Sequence, residues 1–172
     1  MADPHVGLSI RHSFTPAGAT YPNGCHIAEI ELDPETGAVS LVGYVAVIDV
    51  GTVLAPRLVD GQMHGGIAQG AGQALAEAVR IDAQGQILTG SFSDYAMLRA
   101  DAFPGIRVES LPVPTAMNPL GVKGVGEAGT VGALAAVMNA VNDALDQAGA
   151  GPVEMPATPL RVWQALHGVV GQ

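Results

Sequence analysis

Residues 58–79 carry apolar side chains at helical spacing and no proline, yet five glycines lie among them: Gly61, Gly65, Gly66, Gly70 and Gly72. In an exposed helix each would cost about 1 kcal/mol against alanine. A helix that keeps all five is expected to be buried, with another backbone or a ligand pressed against its smooth face. The chain holds 23 glycines in 172 residues without a Gly-every-third period, which excludes a collagen-like helix. Aromatic residues are only 4%, so the core is expected to be built from Ala, Val, Leu and Ile, side chains that let backbones come close.

A chain of this length can bury roughly 68–70% of the surface its unfolded form exposes, and reads as one domain or a large piece of one. Hydrophobic residues at 48% against charged residues at 13% exclude intrinsic disorder. Seven Lys and Arg against sixteen Asp and Glu leave a net charge of −9. With no basic stripe, neither nucleic acid nor an anionic membrane surface is an expected partner. The single cysteine, Cys25, permits no internal disulfide and cannot by itself ligate an iron–sulfur cluster. It is expected to be a small buried residue. No leader pattern and no membrane-length apolar run is present, so a soluble, cytoplasmic chain is the expectation.

Along the chain, residues 1–20 read as an irregular arm containing Pro4 and Pro16, and residues 21–172 as the domain proper. Cys25–Leu32 and Val39–Val50 are expected strands. They are joined by the turn Asp33-Pro34-Glu35-Thr36-Gly37, where Pro presets φ and Gly is free to take a positive one. A helix is expected over Leu58–Val79. Asp82–Gly85 reads as a second hairpin turn between short strands, and Ile106–Leu111 as another strand. Leu111–Pro119 holds three prolines and must be irregular. Gly121–Gly132 reads as a glycine-rich loop leading into a helix over about 131–147, with Thr130 as a plausible cap. A last short helix is expected from Thr158 to near Val170, with Pro159 in its first turn. The fold class is therefore α/β (α+β): a hairpin-containing sheet packed by a glycine-rich helix and C-terminal helices.

The second glycine block contains G-x-G-x-x-G at Gly124, Gly126 and Gly129. A dinucleotide loop, however, follows a buried strand directly and holds no carboxylate where the pyrophosphate sits. This one follows a proline-rich stretch and contains Glu127. Two readings of Glu127 stand side by side. It can cap the following helix and favour its dipole, or it can serve as a general base in a rigid, water-poor loop. Lys123, the only lysine, is either a solvated charge or pairs with a carboxylate. Asp49 is suited to hydrogen-bond the loop that follows it. His64 and Gln69 read as packed or hydrogen-bonded side chains.

Three blocks together resemble a known family. They are Tyr21-Pro22-Asn23-Gly24-Cys25-His26 with the hairpin up to Asp49-Val50-Gly51, then Gly61–Gly72, then Asn118-Pro119-Leu120-Gly121-Val122-Lys123-Gly124-Val125-Gly126-Glu127. In this order and spacing they resemble the C-terminal part of the molybdenum-binding large subunit of molybdenum hydroxylases, the xanthine oxidase and aldehyde oxidase family. The resemblance covers nearly all of residues 20–170. It implies Glu127 as the active-site base, taking the proton from a molybdenum-bound hydroxyl, and Gln62 and Gly126 as contacts to the molybdopterin cofactor. It further implies hydroxylation of an aldehyde or N-heterocycle carbon, a cofactor of dinucleotide form, and iron–sulfur clusters and FAD on partner domains or subunits. The glycines suit it, because a bulky pterin needs close backbone approach, although Gly65, Gly66, Gly70 and Gly72 are expected mostly to serve helix packing.

The family's large subunit is several times longer than this chain. The chain is therefore expected to be a fragment, an isolated domain or one subunit of a split enzyme, inactive alone, with the remainder of the molybdenum-binding subunit as partner. An exposed, largely apolar patch is expected around 61–72 and 121–132. A non-catalytic assembly module on this scaffold and a nucleotide-binding module are the alternatives.

Overall fold

The computed structural model describes residues 11–169. Residues 11–22 carry no helix or strand, and the first ten residues of the expected arm lie outside the described residues. The elements are β1 (Asn23–Leu32), β2 (Val39–Asp49), α1 (Pro56–Leu75), β3 (Ile106–Ser110), α2 (Ala128–Gln147) and α3 (Pro159–Leu166). The class is the expected mixed α/β.

β1 and β2 pair antiparallel around the Asp33–Gly37 turn. Asp33 organises that turn: its carboxylate accepts from Glu35 N at 2.9 Å and from the Thr36 hydroxyl at 2.6 Å. Gly37 takes φ +71, and its bare Cα lies against Pro159 and Trp163 of α3, leaving no room for a side chain. The register shifts between Glu29 and Ile30, so that Glu29 faces Gly43 while Ile30 faces Leu41. The extra residue, Val42, keeps the apolar side chains on one face across the bulge: Ala28, Ile30, Leu41, Tyr44 and Ala46 all turn inward.

β3 joins the other side of β2 in parallel, giving the order β1-β2-β3, with α1 in the crossover that a parallel pair requires. α1 and α2 cover the inner face of the sheet and pack on each other. Met63, Ile67, Val137, Val141 and Leu145 are fully buried between the layers, with Val162 of α3 at the margin. Each contributes about 1.5–3 kcal/mol of apolar burial.

Several expectations need correction. α1 spans Pro56–Leu75, not 58–79: Pro56 needs no intrahelical partner for its missing N–H at the first turn. At the other end, Ala76 N and Glu77 N both bond Gly72 O at 2.9 Å, closing the last turn. α2 begins at Ala128, so Gly129, Thr130 and Gly132 are helical and Glu127, not Thr130, occupies the cap position. The Asp82–Gly85 turn forms, with Gly85 at φ +83, but it joins only an isolated bridge, Ile81 to Ile87, rather than strands. α3 starts as expected, with Thr158 accepting from Arg161 N, and ends at Leu166; Val170 lies outside the described residues. Cys25 is exposed, because strand alternation puts His26 and Ala28 inward and Cys25 and Ile27 outward.

Candidate functional site

The loop between Leu111 and Glu127 is held against the end of β2 by a dense set of bonds. Asp49 Oδ1 accepts from Gly51 N at 2.8 Å and from Val113 N at 2.9 Å, and its Oδ2 pairs with Lys123 Nζ. The Lys123 hydrogen bond, then the Val113 and Gly51 amides, hold the Asp49 carboxyl at about 2, well below its usual value. The carboxylate partner for Lys123 and the loop-binding role of Asp49 thus both occur as expected. Asn118 brackets Val122, donating to its carbonyl at 2.9 Å and accepting from its amide at 3.1 Å. Thr52 N bonds Gly121 O, Lys123 N bonds Val50 O, and Gly121 takes φ +67 to make the turn.

From this anchored turn the backbone runs through Gly124, Val125 and Gly126 to Glu127 at the head of α2. Glu127 makes no side-chain cap hydrogen bond, and its carbonyl accepts from Val131 N at 3.0 Å. The capping role considered for its carboxylate is therefore not realised. The side chain is exposed, so this chain alone does not provide the water-poor surroundings expected for it. It lines a hollow of ≈ 500 Å³ together with Tyr21, His26, Ile48, Gly126 and Val131. Gln62 is exposed on α1 and lines a neighbouring hollow of ≈ 320 Å³ with Thr52, Leu58 and Lys123. Val125 belongs to both hollows. The structure thus brings Gly126 and Glu127 together and sets Gln62 on the other side of Val125.

The glycines divide into two kinds. A Cβ on Gly66 would lie 3.0 Å from Gly129 Cα, one on Gly129 would lie 2.7 Å from Met63 O, and one on Gly70 would lie 2.7 Å from Thr130 O. These are glycine because the two helix backbones touch. Gly61 and Gly65 on α1 and Gly124 and Gly126 in the loop are different: a Cβ on any of them would meet nothing within 4 Å, and none has a positive φ. Among the described residues, neither packing nor backbone conformation requires glycine there. Gly61 and Gly65 share the outward face of α1 with Leu58, Gln62 and Gln69. Bare backbone on both sides of Val125 fits a flat, bulky ligand laid across the two hollows. The expected patch is accordingly only partial: Met63, Gly66, Ile67 and Gly70 face α2, while Leu58, Leu120 and Val131 are exposed apolar side chains at its rim.

The family described as molybdopterin cofactor-binding domain matches residues 3–104. The chain belongs to this family. Sequence relatives of this cofactor-binding domain extend the match over nearly all of it. The nicotine 6-hydroxylase large subunit of Paenarthrobacter nicotinovorans is 39% identical over 95% of this chain and 20% of its own length. The carbon monoxide dehydrogenase large chain of Afipia carboxidovorans is 34% identical over 92% of this chain and 20% of its own. Among solved structures, the Cu,Mo-CO dehydrogenase in its carbon monoxide reduced state superposes with a TM-score of 0.82 at 32% identity, over 86% of this chain and 19% of that one. Quinoline 2-oxidoreductase from Pseudomonas putida 86 gives 0.79 at 39% identity, over 83% and 18%. The resemblance to molybdenum hydroxylase large subunits holds, and the chain spans about a fifth of the length of the curated relatives it matches.

The nucleotide-loop alternative gains nothing from the geometry of this cofactor-binding domain. β3 ends at Ser110, far upstream of the G-x-G-x-x-G, and Gly129 is spent on contact with α1. Among the described residues no helix is long and apolar enough to cross a membrane. Sequence reading missed two side chains beside the site, His26 and Tyr44. Only their inward positions in the strand alternation hinted at them.

Proposed function

We propose that this domain forms one wall of a molybdenum hydroxylase active site, with Glu127 as general base and Gln62 and Gly126 as contacts to molybdopterin. The observation that carries the reading is Glu127 itself: an uncapped, exposed carboxylate at the head of α2, beside the bare backbone of Gly124 and Gly126 and facing a ≈ 500 Å³ hollow. When bound, the molybdenum cofactor supplies the oxygen-transfer and electron-accepting chemistry. The protein's part is position and a proton acceptor. Either Glu127 carboxylate oxygen takes a proton from a donor within hydrogen-bond reach, while Gly124 and Gly126 let that donor approach without a Cβ in the way. Gln62, exposed and without a side-chain hydrogen bond among the described residues, offers its carboxamide as both donor and acceptor to the polar edge of the cofactor.

The exposure of Glu127 makes the rest of the wall necessary. Covering the hollow with cofactor and the remainder of the molybdenum-binding subunit would exclude water and bring the base to working strength. The substrate class is an aldehyde or N-heterocycle with an electrophilic carbon, the cofactor is of dinucleotide form, and iron–sulfur and FAD centres sit on partner domains or subunits. The relatives' names as large subunits or large chains support the partner reading. The test is Glu127→Gln in the assembled enzyme. Molybdenum and pterin content should stay at the wild-type level while turnover falls by about 10²–10⁴-fold, the usual contribution of a positioned base. Wild-type turnover in that variant would refute the role.

A further inference from the structure

The first turn of α2 is trapped between two neighbours. On one side Gly129 touches the α1 backbone at Met63, Gly66 and Ile67. On the other, Gly132 lies against the imidazole of His26 on β1. A Cβ at residue 132 would sit 2.5 Å from His26 Cδ2 and Nε2 and 2.6 Å from Cε1. The ring therefore occupies the place of a side chain on α2, five residues and about one and a half helical turns beyond Glu127. The ring is itself fixed. Its Nδ1 is 2.7 Å from the hydroxyl of Tyr44, which is only 2% exposed, and the two rings meet edge to face at 5.8 Å. Burial pushes the His26 imidazolium pKa down and the Tyr44 phenol up, so a hydrogen bond between two neutral groups joins them near pH 7.

A histidine whose one nitrogen is held by a buried tyrosine, and whose far edge meets a glycine, is a stop of fixed length. We propose that His26, tethered by Tyr44, is a positioning residue: it sets the first turn of α2 through Gly132 and thereby places the Glu127 carboxylate over the hollow. Its catalytic consequence rests on the reading of Glu127 given above.

Three variants of the assembled enzyme test this. Tyr44→Phe removes the tether with little change of volume, Gly132→Ala drives a methyl into the ring, and His26→Ala with Gly132→Ala together makes room for that methyl. Amide hydrogen exchange over residues 131–136, the first amides bonded within α2, is read alongside kcat, KM and molybdenum content. Tyr44→Phe should speed exchange in that segment and lower kcat several-fold, with KM and molybdenum unchanged. Gly132→Ala should lower kcat by roughly tenfold or more, as small misplacements of a reacting group do, and the double variant should recover part of it. A loss confined to thermal stability, or a double variant no more active than Gly132→Ala alone, would overturn the proposal. Should Glu127→Gln retain full turnover, the base reading fails separately, and exchange alone decides whether the His26–Tyr44 pair holds the turn. Unchanged exchange in both Tyr44→Phe and Gly132→Ala sinks it.

Discussion

Lys123 reaches back from the glycine loop to clasp Asp49 at the end of β2, and both side chains are nearly buried, at 11% and 12% exposed. Through this pair the loop that leads to Glu127 is fastened to the central strand. Asp49→Asn should lower the melting temperature by several degrees near neutral pH, since Lys123 then loses its counter-charge. The sign with pH follows from the lowered carboxyl. Its stabilisation is complete above the ordinary value of 3.8 and is lost as pH falls through about 2. Thermal melts of wild type and variant should therefore converge on acidification over that window. A gap that persists at the acid end would refute the pairing as the cause.

The two kinds of glycine make opposite forecasts. Gly66→Ala or Gly129→Ala inserts a methyl between touching backbones and should cost about 1–3 kcal/mol. Gly61→Ala and Gly65→Ala meet nothing and should stabilise the helix by up to about 1 kcal/mol. Denaturant unfolding of the four variants measures both. If the outward glycines serve the cofactor, the stabilised Gly65→Ala protein should nonetheless take up less of it in the assembled enzyme.

Gln62→Ala should separate binding from folding. Its side chain is exposed and takes part in no hydrogen bond among the described residues, so melting temperature should not change. Molybdenum and pterin content of the assembled enzyme should fall. Full cofactor loading in Gln62→Ala would remove this residue from the site.

His64 links α1 to β3, with Nδ1 2.9 Å from Asp60 O and Nε2 3.2 Å from Ile106 O. Carbonyl oxygens only accept, so satisfying both requires the imidazolium. The Asp60 carbonyl, helped by the Ile106 carbonyl and the Asp60 carboxylate, raises the histidine above its ordinary 6.5 against a desolvation that opposes it. A raised folded value gives stability that is fully present below 6.5 and lost as pH rises through the folded value. His64→Gln should therefore destabilise in mildly acidic buffer, by no more than about 1 kcal/mol for so exposed a pair, and should match wild type in alkaline buffer. Melts at the two ends of that range decide it.

Much of this molecule is legible without coordinates because its signals are local. The Asp33–Gly37 turn and the alternation on either side of it specify the hairpin, since turn chemistry and a period of two need only neighbouring residues. Pro159 after Thr158 marks the start of α3 in the same way. The three glycine-bearing blocks identify the family and single out Gln62, Gly126 and Glu127 as candidates. Short-range patterns also explain the misses. Helical spacing continues past Leu75 to Ala78, but the helix stops at the turn closed on Gly72 O. The cluster 121–132 looks like one loop, yet Gly129 and Gly132 lie in α2 and are glycine because contacts from α1 and β1 demand bare backbone there.

The tertiary structure alone decided which glycines are packing and which are open. That depends on the partner each Cα meets: Gly65 and Gly66 are adjacent in the chain, yet only Gly66 faces α2. It alone paired β3 with β2 in parallel, fastened Lys123 to Asp49 across 74 positions, and set His26 between Tyr44 and Gly132. Cys25 shows the same limit at the scale of one residue. Its composition suggested burial, and only its place in the pleat of an edge strand turned it to solvent. Composition and spacing set which backbones are able to come close; long-range packing settles which of them do, and so where α2, with Glu127 at its head, lies against α1 and β1.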